Sequence, residues 1–517
     1  MDDQHIEYAK TAGGTVRTLE QLAALGVTRV KVSVVWVIVA PHPHSKRRPK
    51  FDASNPDAYP AHAWDRYDLI VRTAYALGMG VYFELNPPAP AWAVSRRPPA
   101  QGYSWSQRPS ASEYGQFVEA VGRRYSGGHP VPAHEDQPSS SLRAVQDPIP
   151  GITTPPSSSP QAAAAVQDPI PRVDYWALWN EPNEAAWLNP QWHDYPGHRH
   201  VVIAPALYRS LVDAGWSGLV ASGHRHDTIL IGETASRGWI VPTPFVEALY
   251  CVGSALRPLR GAAAQNTNCP TSGNTRAFVA KHPGLFNATG YAHHPYSFDT
   301  PPTARPGFKG EVTLNRLGGF EHVLRRIFAV YGRARRGGIP LYLTEWGYKT
   351  NPPNPYVKTS QAQQARWLNE GEYMTYKHPW IKSLTQFLLY DDTPNTQFKR
   401  GSRNYWGPPA TGLLLSNGRP KPAYAAYRLT IWLPRQRHGP HVVVFGRVRP
   451  LAHGGSPQAT LLFRPRGGRL RVLTGLNASV PYGFIYQRVA IPRAGSVQIA
   501  WSDPTGTVLY SRVVRIK

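Results

Sequence analysis

Two glutamates, Glu181 and Glu345, each close a short apolar run and are followed at once by residues that break regular structure. The first stands in Trp179-Asn180-Glu181-Pro182-Asn183 after Tyr175-Trp176-Ala177-Leu178, and the second in Thr344-Glu345-Trp346-Gly347 after Leu341-Tyr342-Leu343. A strand that ends on a glutamate and then turns presents that carboxylate at its C-terminal tip, where (β/α)8 barrels keep their active sites. A pair of carboxylates is the minimum equipment for breaking a glycosidic bond, one acting on the anomeric carbon and one moving a proton. Asn180, beside the first, can hydrogen-bond a sugar hydroxyl. Trp36, Trp92, Trp187 and Trp346 offer aromatic faces that suit sugar C–H surfaces or, equally, a core.

The elements that must hold this pair follow from periodicity. Strand-like runs at Val27–Val39, Gly80–Asn86, Val173–Trp179, Ile229–Gly232, Gly290–His293, Leu341–Thr344 and Leu384–Tyr390 alternate with helical patterns at Ala61–Leu77, Ala111–Tyr125, Ala204–Ala214, Arg316–Arg335 and Ser360–His378. Counted as strands two to eight of an α/β (β/α)8 TIM barrel, they put Glu181 on the fourth strand and Glu345 on the seventh. Few residues precede the first helical pattern, Thr15–Leu25. The first strand is therefore expected either as a weak run at His5-Ile6-Glu7-Tyr8 or upstream of Met1, together with any export signal. The barrel is expected over residues 1–430. It is interrupted at 128–172 by a Pro-, Ser- and Ala-rich insertion that repeats Ala144–Pro150 at Ala165–Pro171 and is too poor in apolar residues to order itself. Short alternating runs separated by Gly/Pro turns over 437–517 predict a C-terminal all-β sandwich, structural or carbohydrate-binding.

Composition narrows the partners. The 517 residues carry a net charge of +25, but the basic residues are scattered and form no Lys/Arg block with interleaved aromatics. Nucleic acid is therefore not an expected partner, whereas an anionic cell-surface polymer is a candidate. No apolar run approaches the roughly 20 residues that cross a bilayer, so no membrane insertion is expected. Two cysteines, Cys251 and Cys269, share one loop and are expected to form a disulfide, which points to a secreted or extracellular protein. The tracts His198-Arg199-His200 and His224-Arg225-His226 lack a complete metal-ligand set, and neither metal nor other cofactor is expected. Asn287-Ala288-Thr289 and Asn477-Ala478-Ser479 match the glycosylation triplet, which often arises by chance. Glu233, at another strand tip, either lines the cleft or forms a structural ion pair. His293 or His294 is a candidate contact to sugar or carboxylate.

Leu178-Trp179-Asn180-Glu181-Pro182-Asn183 resembles the acid/base strand of glycoside hydrolase clan A, and Leu343-Thr344-Glu345-Trp346-Gly347 resembles its nucleophile strand. Gly290-Tyr291-Ala292-His293-His294-Pro295-Tyr296 is similar to the sixth strand of that clan, whose Tyr or His lies beside the nucleophile. The resemblance covers roughly residues 10–430 and is nearest to family 5, family 39 and bacterial cellulase-like proteins. It implies that Glu345 attacks the anomeric carbon and Glu181 serves as acid and then base, with Tyr296 bonded to Glu345 and Asn180 to the sugar 2-hydroxyl. Lys31 stands where members often carry an arginine. The eighth strand lacks the Trp that underlies the sugar, leaving Tyr390 or Trp406 to substitute. The expected activity is a retaining O-glycosyl hydrolase that cleaves β-glycosidic bonds of an oligo- or polysaccharide. The alternatives are a transglycosylase using the same pair and a non-catalytic carbohydrate-binding or wall-associated barrel.

Overall fold

The structure, a computed structural model, describes residues 1–9, 11–96, 102–130, 169–195, 198–434, 440–451 and 457–516. Most of the expected insertion, including the first copy of the duplicated heptapeptide, lies outside the described residues.

Seven parallel strands form one curled sheet in chain order: β1 (Arg29–Val35), β2 (Gly80–Asn86), β3 (Tyr175–Leu178), β4 (Thr228–Ala235), β5 (Gly290–His294), β6 (Leu341–Trp346) and β7 (Ile381–Gln386). These are the strands expected as two to eight, with two changes at their ends. The first run stops being a strand at Val35 and continues as a short helix, Trp36–Val39, and the last ends at Gln386 rather than Tyr390. Strands feeding outer helices in this order must cross over the sheet in the same sense, which wraps the helices around it.

Closure departs from the eight-strand expectation. Between the two edge strands stands one residue, Asp2, bridged in parallel to Lys31 on β1 and to Phe387 just past β7. Its amide donates to the Gln386 carbonyl at 3.1 Å, and the Lys31 amide donates to the Met1 carbonyl at 2.9 Å. His5–Tyr8, the segment expected as a weak strand, lies instead in a helical turn, Gln4–Glu7, capped by the Asp3 side chain. Asp3 also accepts from the amides of Leu389 and Tyr390 at 2.7 and 2.8 Å, which ties this turn to the far edge of the sheet.

Alternation along the strands builds two apolar layers. Leu341, Leu343 and their counterparts face the helices α1 (Ala12–Ala24), α2 (Asp65–Ala76), α3 (Ala111–Arg124), α4 (Ala204–Ala221), α5 (Leu317–Val330) and α6 (Gln361–Tyr376), forming the main core. Tyr82, Ala177, Leu230, Ala292 and Tyr342 face inward and make a separate small cluster that fills the barrel below its mouth. Three of the helices start on side-chain caps: Thr11 for α1, Ser110 for α3 and a Ser360/Gln363 capping box for α6.

The C-terminal strands pack as a three-stranded sheet (Leu429–Trp432, His441–Val448, Phe484–Ala490) against a five-stranded one, around their own apolar cluster. The first of these strands begins at Leu429. It is held to α6 by Asn369, whose Oδ1 accepts from the Ile431 amide and from Arg512. Arg471–Asn477, not expected from the sequence, is a mostly exposed strand without a clean apolar alternation. Cys251 and Cys269 are joined in a disulfide, with the buried Arg209 guanidinium 2.8 Å from Cys251 Sγ and bonded to carbonyls on both sides of the loop. Among the described residues, no helix is long and apolar enough to cross a membrane.

Candidate active site

Strict alternation would send Glu345 outward, because Tyr342 and Thr344 already face the interior. A register shift against β7 between Leu343 and Trp346 breaks the alternation, and Glu345 joins the inner face. A second shift, between Ile231 and Thr234 on β4, does the same for Glu233. Bulges of this kind commonly re-aim side chains beside active sites. Three of the residues at these tips also sit at positive φ: Trp179 at 75°, Glu181 at 37° and Glu233 at 45°. Each such non-glycine conformation costs on the order of 1–3 kcal/mol, which the surrounding packing must offset. The Trp179 amide donates to the Leu85 carbonyl, and the Glu181 amide to the Glu233 carbonyl at 3.0 Å, locking the turn between β3 and β4.

These turns converge four carboxylates on two cations. Lys31 Nζ lies 3.0 Å from Glu84, 3.3 Å from Glu233 and 2.9 Å from Glu345. His294 bridges the other way: Nε2 is 2.6 Å from Glu233 Oε2, and Nδ1 is 2.9 Å from Glu181 Oε1 and 3.6 Å from Glu345 Oε2. Glu233 also accepts from Thr344 at 2.7 Å and from the Tyr82 hydroxyl. Glu345 accepts from the Tyr296 hydroxyl at 3.1 Å, and Glu181 from the Trp187 indole at 3.2 Å. Since His294 Nδ1 touches both, the nearest oxygens of Glu181 and Glu345 are no more than about 6.5 Å apart, the lower edge of the spacing that leaves room for an attacking water.

Exposure separates the carboxylates. The side chains of Glu181 and Glu345 are 20% and 14% exposed, whereas Glu84 and Glu233 are at 1% and 0%. Only the first two can meet a substrate; the buried two serve the cations. Glu84, Glu345 and His294 have the donor types and proximity of a metal set, but Lys31 Nζ already stands between the two glutamates as a fixed cation.

Burial and charge oppose each other throughout the cluster. Burial would raise the Glu345 carboxyl, but His294 and Lys31 outweigh it and hold it below the usual range. Glu233 is likewise lowered against its burial, first by Lys31 and then by His294. Glu84 is pushed up to about 8 by burial and by the neighbouring Glu233 and Glu345 carboxylates, against the lowering pull of Lys31 and His294. Burial would lower His294, but Glu345, Glu181 and Glu233 raise it to about 10. A histidine raised this way stabilises the fold fully below its unfolded value near 6.5, and the contribution is lost as pH rises toward 10. The difference in melting temperature between the protein and His294→Gln is therefore expected to shrink from pH 6 to pH 10. A difference that stays constant over this range would contradict a cationic His294.

The remaining expected residues fall into three groups. Asn180 is buried beside Glu181, and its Oδ1 has no hydrogen-bond partner among the described residues, leaving an acceptor for a bound hydroxyl. Trp187 positions Glu181 through its indole, as above. Two expected sugar platforms are core residues instead. Trp346 is 1% exposed and packs on Gly371 of α6, because the residue after an inward Glu345 must point to the helices. Trp36 is equally buried, stacked 5.5 Å from Phe117. Trp92 is half-buried, with its indole bonded to the Pro41 carbonyl. Tyr390 lies against His5 and bonds Gln21, so it belongs to the N-terminal turn and makes no contact with the carboxylates. His293 faces away, between Thr234 and the Val312 carbonyl.

Two residues were not anticipated. Glu84 is a lone acid inside an apolar strand, a signal that a buried cation is needed nearby. Phe387, the first residue past β7, stands edge-on to Tyr296 at 6.3 Å, near the place where an eighth-strand aromatic was sought.

No protein-family model and no curated protein sequence matches the chain. Among solved structures it is similar to Bacteroides uniformis β-glucuronidase 2 covalently bound to cyclophellitol-6-carboxylate aziridine, at 10% identity and a TM-score of 0.43, covering 100% of this chain and 45% of that one. It is also similar to a GH5_18 protein of Streptomyces cattleya in complex with GlcNAc, at 15% identity and a TM-score of 0.41, covering 83% of this chain and 78% of that one. The chain thus spans about half the length of the β-glucuronidases it matches. Likeness at this level carries no assignment of substrate or mechanism.

Proposed function

We propose that the chain is a retaining β-glycoside hydrolase in which Glu345 is the nucleophile and Glu181 the acid/base. The observation that supports this reading is His294 Nδ1 lying within reach of both partly exposed carboxylates, which keeps their nearest oxygens within about 6.5 Å of each other. Glu345, kept ionised by Lys31 and oriented by Tyr296, attacks the anomeric carbon and forms a glycosyl ester. Glu181, held 2.9 Å from His294 Nδ1, protonates the leaving oxygen. Water then enters where the leaving group departed, Glu181 takes its proton, and Glu345 is released. Asn180 Oδ1 accepts from a ring hydroxyl, the 2-hydroxyl in this reading, and fixes the sugar against the strained turn.

The substrate class is an oligo- or polysaccharide. The catalytic unit is the barrel over residues 1–430 and the accessory unit the sandwich over 437–517, in a secreted protein for which the disulfide is a fitting crosslink. Cleavage of an aryl β-glycoside followed by proton NMR tests the stereochemistry. The first-formed sugar is expected as the β-anomer, which then mutarotates. An α-anomer at first appearance would mean inversion and remove the nucleophile role from Glu345.

A further inference from the structure

A cavity of about 450 Å³ opens between the sandwich and the lower rim of the barrel. Thr28, just before β1, and Ile381–Leu384, at the start of β7, line its barrel side. It therefore lies at the N-terminal ends of the parallel strands, opposite the tips that carry Glu181 and Glu345. Its other wall comes from α6 and from the strands His441–Val448 and Phe484–Ala490, with Tyr482 before the latter.

The wall is aromatic and stays in water. The Tyr376 ring stands 5.0 Å from Phe484 and 5.7 Å from Tyr486, and Tyr482 stands 6.4 Å from Phe484. Of the lining rings, Tyr376 and Tyr482 are 39% and 60% exposed, and Tyr486, beside the cavity, is 44% exposed, so packing alone does not account for the cluster. The wall is also cationic. Glu372 is the one acid among the lining residues, and it is already paired with Arg447 at 2.9 Å and with Arg449. Two guanidiniums on one carboxylate leave a surplus positive charge, and exposed lysines add to it. Lys382 is fixed at the rim by the Pro379 carbonyl at 2.9 Å, and Lys377 Nζ lies 5.1 Å from the Tyr486 ring centre.

We infer that this cavity binds a carboxylated or sulfated glycan chain. Pyranose rings present C–H faces that pack on phenol rings, hydroxyls that bond to the tyrosine oxygens, and acidic substituents that pair with Lys382 and Arg447. A neutral glycan would leave the cations unused, and an acidic peptide would leave the exposed ring faces without matching C–H surfaces. A single-stranded nucleic acid combines charge and stacking as well, and the test below separates it. A polymer held here leaves the carboxylate tips free on the opposite rim, so the cavity is an anchor and not a substrate cleft.

Affinity electrophoresis of the intact chain in gels containing polygalacturonate, heparin or single-stranded DNA tests the assignment. Retardation by the acidic glycans is expected, with the apparent Kd weakened about tenfold by combining Tyr482→Ala and Lys382→Ala. Arg17→Ala, which removes one charge from the exposed side of α1, is expected to change it less than about twofold, and hydrolysis of an aryl glycoside is expected to be untouched in both variants. The assignment is overturned if no acidic glycan retards the protein, or if Arg17→Ala weakens binding as much as the cavity pair, which would reduce the effect to net charge. It is overturned equally if DNA is retained more strongly and lost with the same variants.

Discussion

Glu345→Ala is expected to lower turnover of an aryl β-glycoside by roughly 10⁴-fold or more, and added azide is expected to restore part of it as a glycosyl azide of inverted configuration. The alanine leaves a space at the inner face where the carboxylate stood, bordered by Lys31 Nζ and the Tyr296 hydroxyl. A small anion can enter that space, find the same cation and the same donor, and attack the anomeric carbon from the side that Glu345 used. Because no ester forms, one displacement replaces two and the configuration inverts. The result that would sink the assignment is an azide product of retained configuration, which would place the nucleophile at Glu181. Glu181→Ala separates the roles further. It is expected to cost about 10²–10⁴-fold on a glycoside with a poor leaving group and far less on an activated aryl glycoside, which departs without protonation. Equal losses on the two substrates would contradict an acid role.

The two glutamates were legible because each ends an apolar run and is followed by a turn, a pattern that survives any error in strand length. The seven parallel strands were legible for the same reason, since each is an apolar run bounded by turn residues, even across the stretch between Gly232 and Gly290 where no helical period stood out. What failed were statements that depend on which face a residue takes. Trp346 sits one place after an inward glutamate only because a register shift had already interrupted alternation, and no periodicity announces such a shift. Trp36 reads as the end of a strand but begins a short helix, which turns its ring toward Phe117. Asp2 bridges both edge strands by itself, and one residue has no period to detect. Glu84 carried a signal that was not used: an acid flanked by Phe83 and Leu85 on a buried strand demands a partner. Lys31, on the preceding strand β1 and paired across the β1–β2 register with Tyr82, is that partner.

Lys31→Met is expected to destabilise the protein by about 3–5 kcal/mol at neutral pH, seen as a fall in the urea midpoint with little change in slope. Methionine fills much of the lysine stem, so the loss is chiefly electrostatic: the buried Glu84 and Glu233 and the partly buried Glu345 keep their positions without the ammonium that touches all three. The pH dependence identifies the cause. Glu233 and Glu345 are lowered in the folded protein, so the stability they contribute is present above their unfolded values near 4.5 and is lost as pH falls through their folded ones. The gap between wild type and Lys31→Met should therefore be widest from neutral to alkaline pH and narrow in acid, whereas a packing defect would persist unchanged. Glu84 provides a second discriminator. It is already pushed up to about 8 and so is largely neutral at pH 7, which means Glu84→Gln should cost little in the wild type near neutrality. In the Lys31→Met background at pH 9, where loss of the ammonium raises Glu84 still further and the buried carboxyl must take up a proton to stay in place, the same change should restore about 1–2 kcal/mol. Additive effects in that cycle would mean that Lys31 and Glu84 do not act as a pair. Activity should fall with stability for a separate reason: without Lys31, Glu345 holds its proton to higher pH, and the acid limb of the kcat/KM profile moves upward even where the variant remains folded.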